Sequence, residues 1–178
     1  MKIKMIDLEI LDRTYLRIAG AVQESIVDGP GFRYVIFTQG CKFHCKGCHN
    51  AQSWDLNGGM EVKMRVLYEE MRSDPLIEGV TFSGGEPFLQ PEPLTIFAKI
   101  VKEQGYSLWA YTGFTFDQLL SDHKRRVLLE LLDVVVDGPF VLSKKSMQID
   151  FRGSTNQRII DVHQSLKKGK VILASGFN

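Results

Sequence analysis

The residues most able to do chemistry are the three cysteines of the chain, Cys41, Cys45 and Cys48, which lie within one short segment. Their C-x3-C-x2-C spacing brings three thiols within reach of one centre, and thiolates are preferred ligands of zinc and of iron–sulfur clusters. A 4Fe-4S cluster held by three cysteines keeps one iron without a protein ligand, and that iron can bind a substrate or cofactor. The spacing therefore favours a cluster with an open coordination site.

Two other metal sites fit the same segment. Zinc would need His44 or His49 as a fourth ligand, and no second C-x2-C or H-x3-5-H pair lies downstream. The remaining histidines, His123 and His163, stand alone in the sequence and suit ordinary surface positions. The run 45–49 also matches the C-x-x-C-H haem attachment motif, although that match leaves out the first cysteine. On spacing alone these alternatives stay open.

The composition is that of an ordinary globular domain. The 178 residues carry 22 Lys plus Arg against 21 Asp plus Glu, a net charge of +1, with 44% hydrophobic and 24% charged residues. A chain of this size buries roughly 70% of its unfolded surface, so its stability does not require disulfides. Because the basic residues are dispersed, we expect no nucleic-acid partner. Since no apolar window is long enough for a membrane span or a signal peptide, we expect one cytoplasmic domain over 1–178.

Short apolar strands alternate with amphipathic helices along most of the chain. Strands are predicted over 15–26, 32–37, 80–82, 107–111, 134–136, 158–162 and 171–174, and helices over 62–71, 91–104 and 116–132. This alternation is typical of βα units around a parallel sheet. A complete eight-unit barrel needs about 250 residues and at least about 200. The sequence therefore predicts an α/β fold that forms a partial, open TIM-like barrel.

Glycine-rich loops follow three of the predicted strands, after Phe37, Phe82 and Val136, and the first of these loops holds the cysteines. In such folds the carboxyl ends of parallel strands meet at one edge, where ligands bind. Three further residues end neighbouring strands, namely Tyr111, Thr112 and Asp137. We expect their side chains to face the same cavity as the cysteines.

The motifs at these strand ends resemble those of radical S-adenosylmethionine enzymes. The cysteine signature follows the first barrel strand, and the segment 83–87, with the sequence SGGEP, follows the second. In that superfamily, the backbone of the second motif meets the amino group of the cofactor's methionine moiety. Two motifs at successive strand ends are more specific than either one alone.

Further segments are similar to the activases of glycyl radical enzymes. The segments 27–33 (VDGPGFR) and 37–41 (FTQGC) resemble the beginning of such activases. Within that group, four more segments resemble the activating proteins of anaerobic ribonucleoside-triphosphate reductases. They are 47–50 (GCHN), 54–55 (WD), 136–140 (VDGPF) and 151–161 (FRGSTNQRIID). The resemblance covers 22–161, which makes 1–21 an N-terminal extension of the domain.

The resemblance implies two cofactors, a 4Fe-4S cluster and S-adenosyl-L-methionine. Cys41, Cys45 and Cys48 would ligate the cluster. The residues implied to line the cofactor site are Gly47, Cys48, His49, Gly84, Gly85, Glu86 and Asp137. No catalytic residue beyond the cluster ligands is implied, because the cofactor supplies the difficult chemistry.

The roles of some residues stay open within this resemblance. Glu86 either contacts the cofactor or only holds its turn. Arg152, Asn156 and Arg158 either meet a partner or a carboxylate, or they form an ordinary surface network. At the position before the third cysteine most of the superfamily has an aromatic residue that packs on the adenine, whereas this chain has Gly47.

The implied activity is the activation of a glycyl radical enzyme. One electron from a flavodoxin-type donor would cleave S-adenosylmethionine, and the 5′-deoxyadenosyl radical would take hydrogen from a glycine of the glycyl radical subunit of anaerobic ribonucleoside-triphosphate reductase. Activators of pyruvate formate-lyase carry Lys where this chain has Pro139, which argues against that partner. The alternatives are another glycyl radical enzyme as partner, a small radical enzyme acting on a metabolite, and a non-enzymatic zinc- or cluster-binding module.

Overall fold

A seven-stranded sheet with helices packed on it makes up the fold. The computed structural model describes residues 5–177. The strands are β1 (Tyr15–Ser25), β2 (Arg33–Thr38), β3 (Met60–Lys63), β4 (Gly79–Gly84), β5 (Ser107–Tyr111), β6 (Val134–Asp137) and β7 (Arg158–Asp161). The helices are α1 (Met5–Arg13), α2 (Met64–Ser73), α3 (Pro91–Glu103), α4 (Phe116–Ser121), α5 (His123–Leu129) and α6 (Val162–Lys168). The strand order is β3-β1-β2-β4-β5-β6-β7.

The centre of the sheet is parallel. β2 pairs with β4, β4 with β5 and β5 with β6, all in parallel, and helices connect these strands along the chain. Three successive residues of β2, Tyr34, Val35 and Ile36, are fully buried. Such near-continuous apolar strands are typical of a parallel sheet that is covered on both faces. The predicted α/β fold with a partial barrel is confirmed.

The edges of the sheet are antiparallel, whereas its centre has the expected parallel pairing. β1 pairs antiparallel with both β2 and β3, and β7 pairs antiparallel with β6. The connection from β1 to β2, residues 26–32, is too short for a parallel crossover, which needs a dozen or more residues. The connection from β6 to β7, residues 138–157, contains only the short 3-10 helix Leu142–Lys144 among its regular elements.

Two predicted elements are divided or reduced. The predicted helix 116–132 is two helices, because Asp122 adopts an extended backbone and its carboxylate caps α5 by accepting the N–H of Arg125 at 3.0 Å. The predicted strand 171–174 forms only one bridge, between Leu173 and Ile160. The sequence patterns did not predict α1, β3 or α6. In residues 5–177 no helix is both long and apolar enough to cross a membrane.

The main hydrophobic core lies between the helices and one face of the sheet. It contains Phe82 and Phe97 from the βα units and also Leu11, Leu16 and Ile18, each at most 3% exposed. The described part of the predicted N-terminal extension thus supplies α1 and most of β1 to the same core. Burial of each of these side chains contributes about 1.5–3 kcal/mol to the stability of the fold.

The opposite face of the sheet is divided along its length. Part of it is covered by a second cluster in which Trp109, in the middle of β5, packs edge-on against Phe151 and Phe177, with ring centroids 5.7 and 5.5 Å away. Towards the carboxyl ends it opens into a cavity. This division places the cavity where ligands bind in α/β folds.

Candidate functional site

The carboxyl ends of the parallel strands border a cavity of about 570 Å³. This volume is typical of small-molecule and cofactor sites. Cys41, Cys45 and Cys48 line the cavity together with the residues that follow β4, β5 and β6. The structure therefore brings the cysteines and the glycine-rich segment after β4 to one place.

The cysteine loop, residues 39–59 between β2 and β3, is fixed by its own backbone. Gly40 donates its N–H to the carbonyl of Ser53 at 2.8 Å, and Cys41 donates to the carbonyl of Trp54 at 3.1 Å. These bonds close the loop on itself, so the cysteines do not depend on regular secondary structure for their position. They also place Trp54 beside the first cysteine.

Backbone N–H groups lie near all three sulfurs. The N–H of Asn50 donates to Cys48 Sγ at 3.4 Å, and the N–H groups of Phe43 and His44 near Cys41, and of Phe140 near Cys45, lower the pKa of those thiols. Successive N–H groups make a concave binding site where residues with left-handed backbone alternate with right-handed ones. His44 and Gly47 supply that geometry, with φ of 46° and 78°. The loop thus directs partial positive charge at the thiols.

Burial raises the pKa of the Cys41 and Cys45 thiols above the usual value, and the backbone N–H groups oppose this shift in part. Since a thiol must lose its proton before it binds iron, metal binding at this site releases protons. The N–H groups favour the ligating form, because a hydrogen bond to a thiolate stabilises its charge.

The glycine-rich segment after β4 packs directly on the cysteine loop. Gly85 donates its N–H to the carbonyl of Thr38, and Glu86 donates to the carbonyl of Gly40, both at 2.8 Å. A Cβ on Gly84 would lie 2.6 Å from the Cα of Phe37, and a Cβ on Gly85 would lie 2.4 Å from the Gly40 oxygen. Both positions need glycine, because the backbone touches β2 at Gly84 and the cysteine loop at Gly85.

Glu86, next to Gly85 in this contact, has a buried carboxylate. One of its oxygens accepts from the N–H of Phe88 at 3.0 Å and from the hydroxyl of Thr112 at 2.9 Å, and the other accepts from the N–H of Gly113 at 2.8 Å. Burial raises the pKa of Glu86 to about 7, although these hydrogen bonds favour the ionised form. The carboxylate joins the loops after β4 and β5, which supports a role in holding the turn.

Asp137 is also engaged by the chain itself. Its carboxylate accepts the N–H of Phe116 at 2.8 Å and pairs with both sides of the Arg158 guanidinium, whose Nε lies at 2.9 Å. Of the alternatives stated for Arg158, this bidentate pair shows that it binds a carboxylate within the chain. It fixes the end of β6 to the beginning of β7.

The structure places the predicted site residues in two groups. Those that line the cavity are Cys41, Cys45, Cys48, His49, Gly84, Gly85, Glu86, Tyr111, Thr112 and Arg152. Gly47 and Asp137 are absent from the residues that line it, as are Asn156 and Arg158. At Gly47 the space of a side chain is taken by Leu142, whose Cδ1 would lie 2.9 Å from an added Cβ. Binding of a cofactor by each of these residues stays a prediction.

One wall of the cavity was not predicted. The connection 138–157 supplies Phe140, Met147 and Phe151, and the turn before β2 supplies Ile26 and Val27. A connection of this length with little regular structure is unusual in a small domain and often serves a function. That length was the available signal in the sequence.

The donor set fits a 4Fe-4S cluster. The three cysteines are free thiols on one cavity, and the sulfur of Cys48 already receives the backbone N–H of Asn50. In residues 5–177, no three His, Cys, Asp or Glu side chains converge closely enough to hold a single metal ion. The ligands of a cluster bind different irons and lie further apart, so this spread is compatible with a cluster.

Comparisons with known proteins agree with this chemistry. The family model described as "4Fe-4S single cluster domain" matches residues 27–160. The anaerobic ribonucleoside-triphosphate reductase-activating protein of Haemophilus influenzae is 32% identical over 148 residues, covering 75% of this chain and 90% of the relative. The protein of the same name from Pasteurella multocida is 35% identical over 143 residues with the same coverage.

Two further matches extend the comparison. The pyruvate formate-lyase-activating enzyme of Clostridium pasteurianum is 39% identical over 131 residues, which cover 68% of this chain and 55% of that enzyme. The crystal structure of QueE from Escherichia coli shares the fold with a TM-score of 0.50 at 18% identity, over 61% of this chain and 57% of QueE. The chain belongs to the 4Fe-4S single-cluster family and, within it, to the radical S-adenosylmethionine activating enzymes, with a 4Fe-4S cluster and S-adenosylmethionine as cofactors.

Proposed function

We propose that this protein generates the glycyl radical of an anaerobic ribonucleoside-triphosphate reductase. The observation that carries the proposal is the match to activating proteins of that name over 90% of their length. The cavity adds support, because it holds the three cysteines and the SGGEP segment of the radical S-adenosylmethionine motifs on one surface.

The cysteines Cys41, Cys45 and Cys48 would hold the cluster, and the backbone at Gly84 and Gly85 would border the bound S-adenosylmethionine. When bound, these cofactors supply a 5′-deoxyadenosyl radical that removes hydrogen from a glycine. The chain's own task is to fix the sulfurs, orient the cofactor and keep water from the reacting atoms. The hydrogen bonds between the cysteine loop and the segment after β4 do the first of these.

The cavity can admit a loop of another protein. Three apolar side chains on its lining are exposed to solvent, Ile26 by 66%, Val27 by 72% and Met147 by 87%. Exposed apolar side chains around a cavity are typical of an interaction site. They suit the backbone of a glycine-containing loop, which brings little side-chain bulk into the cavity.

We further propose an acidic, flavodoxin-type protein as the electron donor. Lys42 and Lys46 are exposed on the cysteine loop next to the cluster ligands. Basic residues at this point would steer an acidic donor towards the cluster and raise its association rate, more strongly at low salt.

Anaerobic reconstitution with iron and sulfide tests the proposal. We expect about four irons per chain, formation of 5′-deoxyadenosine with dithionite, and a glycyl radical doublet in the electron paramagnetic resonance spectrum after mixing with the reductase. Cleavage of S-adenosylmethionine without a doublet on the reductase would refute the partner. Stoichiometric zinc with no cofactor turnover would refute the enzyme.

Pyruvate formate-lyase is the second candidate partner, and the 39% identity to its activating enzyme from Clostridium pasteurianum favours it. We rank it second because the chain matches only 55% of that enzyme, against 90% of the reductase-activating proteins. The same experiment with pyruvate formate-lyase in place of the reductase separates the two candidates, because the doublet would form only on the protein that is activated.

A further inference from the structure

Trp54 holds a hydrogen-bond donor that the chain leaves without an acceptor. In residues 5–177, the buried side-chain polar atoms without a partner are Trp54 Nε1, Asp74 Oδ2, Gln104 Oε1 and Asn156 Oδ1. Trp54 is the donor among them, and of these four residues it alone lines the cavity. The indole N–H can only donate, and a buried donor without an acceptor is costly.

The position of this indole is fixed beside the first cysteine. The carbonyl of Trp54 accepts the N–H of Cys41 at 3.1 Å, and its ring packs on His44 with 5.0 Å between ring centroids. Trp54 lines the main cavity with all three cysteines, and it also lines a smaller pocket with Cys41 and His44. The smaller pocket also contains Asp55 and Asn57, but no group of residues 5–177 accepts the indole N–H, so the sulfur of Cys41 is one acceptor type within this site.

The loop already uses N–H donors on sulfur. The backbone N–H of Asn50 donates to Cys48 Sγ at 3.4 Å, so a side-chain donor on a neighbouring sulfur would extend an existing arrangement. A neutral thiol accepts hydrogen bonds weakly, whereas a ligating thiolate or a cluster sulfide carries negative charge and accepts strongly. Loading of the cluster would therefore supply the acceptor that the Trp54 indole lacks.

We propose that the indole N–H of Trp54 donates a hydrogen bond to a sulfur of the bound cluster or of its ligand Cys41, and that this bond raises the reduction potential of the cluster. Reduction adds one electron from an external reductant and makes the sulfurs more negative, so the bond is stronger in the reduced state. Trp54 acts here as a positioning residue that tunes the cluster. The proposal rests on the assignment of the three cysteines as ligands and not on the identity of the partner.

Trp54→Phe keeps the aromatic ring and removes the donor. At a fixed solution potential, we expect the ratio of reduced to oxidised cluster to fall roughly threefold to tenfold, where tenfold corresponds to about 59 mV for one electron. The matched control is Trp109→Phe, which changes the other tryptophan of the chain, a residue that packs in the second cluster and does not line the cavity. The control is expected to leave the ratio unchanged.

A spectroscopic measurement on the unaltered sequence makes the test independent of folding defects. The reconstituted, reduced protein is labelled with tryptophan that carries ¹⁵N at the indole nitrogen. Hyperfine coupling of the cluster spin to this ¹⁵N is expected in the unaltered protein and in Trp109→Phe, and it is expected to vanish in Trp54→Phe.

Three results decide the proposal. Coupling lost only in Trp54→Phe, together with the fall in reduced cluster, supports it. Absence of coupling in the unaltered protein overturns it, and so does coupling that arises only after S-adenosylmethionine is added, since the acceptor would then be the cofactor. A normal ¹⁵N coupling with no glycyl radical on any reductase would refute the proposed partner and leave this inference intact.

Discussion

The two ends of the parallel strands differ in whether their polar groups all find hydrogen-bond partners within the chain. At the amino end, Arg33 is fully buried and its guanidinium donates to Thr81 Oγ1 at 3.1 Å, to the carbonyl of Val80 at 2.7 Å, and to both the hydroxyl and the carbonyl of Ser107. At the carboxyl end, three free thiols and the indole of Trp54 face a cavity. The chain satisfies Arg33 at the first end and the buried carboxylates Glu86 and Asp137 at the second, but only the second end also presents thiols and an indole donor that suit a ligand.

The closure of the amino end explains how the sheet tolerates a buried cation. Burial lowers the pKa of Arg33 to about 10, which still leaves it charged at neutral pH. Its guanidinium lies 5.9 Å from the ring centroid of Trp109, and the edge-on contacts of Trp109 with Phe151 and Phe177 keep water from this region. The difference teaches that substitutions at the amino end should affect folding, while those at the carboxyl end should affect cofactor loading.

Cys45→Ala gives the largest expected effect at the carboxyl end. Two thiolates cannot hold the cluster, so iron should fall from about four per chain to near zero and formation of 5′-deoxyadenosine should be lost. Cys45 is only partly buried, so the unfolding temperature of the apoprotein should change little. Iron analysis, cofactor turnover and a thermal melt are the measurements, and retention of four irons by the variant would contradict the ligand assignment.

Gly85→Ala tests the contact between the two loops. The added methyl group would lie 2.4 Å from the Gly40 oxygen, so the cysteine loop must move, at a cost of about 1–3 kcal/mol and with reduced iron loading. Gly20→Ala is the control, because a methyl group there meets no atom within 4 Å. Urea unfolding and iron analysis of both variants make the comparison. Equal stability and loading in the two variants would show that the loop contact is not needed.

Local patterns explain how much of the fold the sequence predicts. The strand predicted over 107–111 has those bounds in the structure, and the apolar face predicted for the helix beginning at Pro91 is fully buried at Leu94, Phe97, Ala98 and Val101. Such elements are set by residues close in sequence. The clustering of the cysteines near the SGGEP segment also follows from topology, because both come after parallel strands.

The features that could not be predicted depend on contacts distant in sequence. The burial of Arg33 depends on acceptors at Thr81 and Ser107 in two other strands. The edge-on contact of Phe151 with Trp109 depends on the path of the connection 138–157, which has no periodic pattern. Such contacts are fixed by the assembled sheet and leave no local signal in the sequence.

Arg33→Met tests the amino end. The variant removes a buried charge but leaves the carbonyls of Val80 and Ser107 without their donor, so the free energy of unfolding should fall by about 1–3 kcal/mol. Iron loading of the folded protein should remain as in the unaltered chain, because Arg33 is not among the residues that line the cavity. Denaturant unfolding and iron analysis measure the two effects. A loss of iron loading with unchanged stability would reverse the roles assigned to the two ends.

Glu86→Gln gives a smaller effect. It tests whether ionisation of the buried Glu86 at the carboxyl end lowers the free energy of unfolding. Since burial raises the pKa of Glu86 from 4.5 to about 7, the folded protein holds a proton that the unfolded chain releases between these values. The stabilisation is complete below about pH 4.5 and is lost as the pH rises towards 7, with a slope of at most about 1.4 kcal/mol per pH unit.

Gln cannot titrate, so the free energy of unfolding of the apoprotein variant should fall less steeply with pH than that of the unaltered protein. Urea unfolding from about pH 5 to about pH 7 measures both slopes. Parallel slopes would mean that Glu86 stays ionised throughout, held by Phe88, Thr112 and Gly113, and that the carboxyl end accommodates its buried charge as fully as the amino end accommodates Arg33.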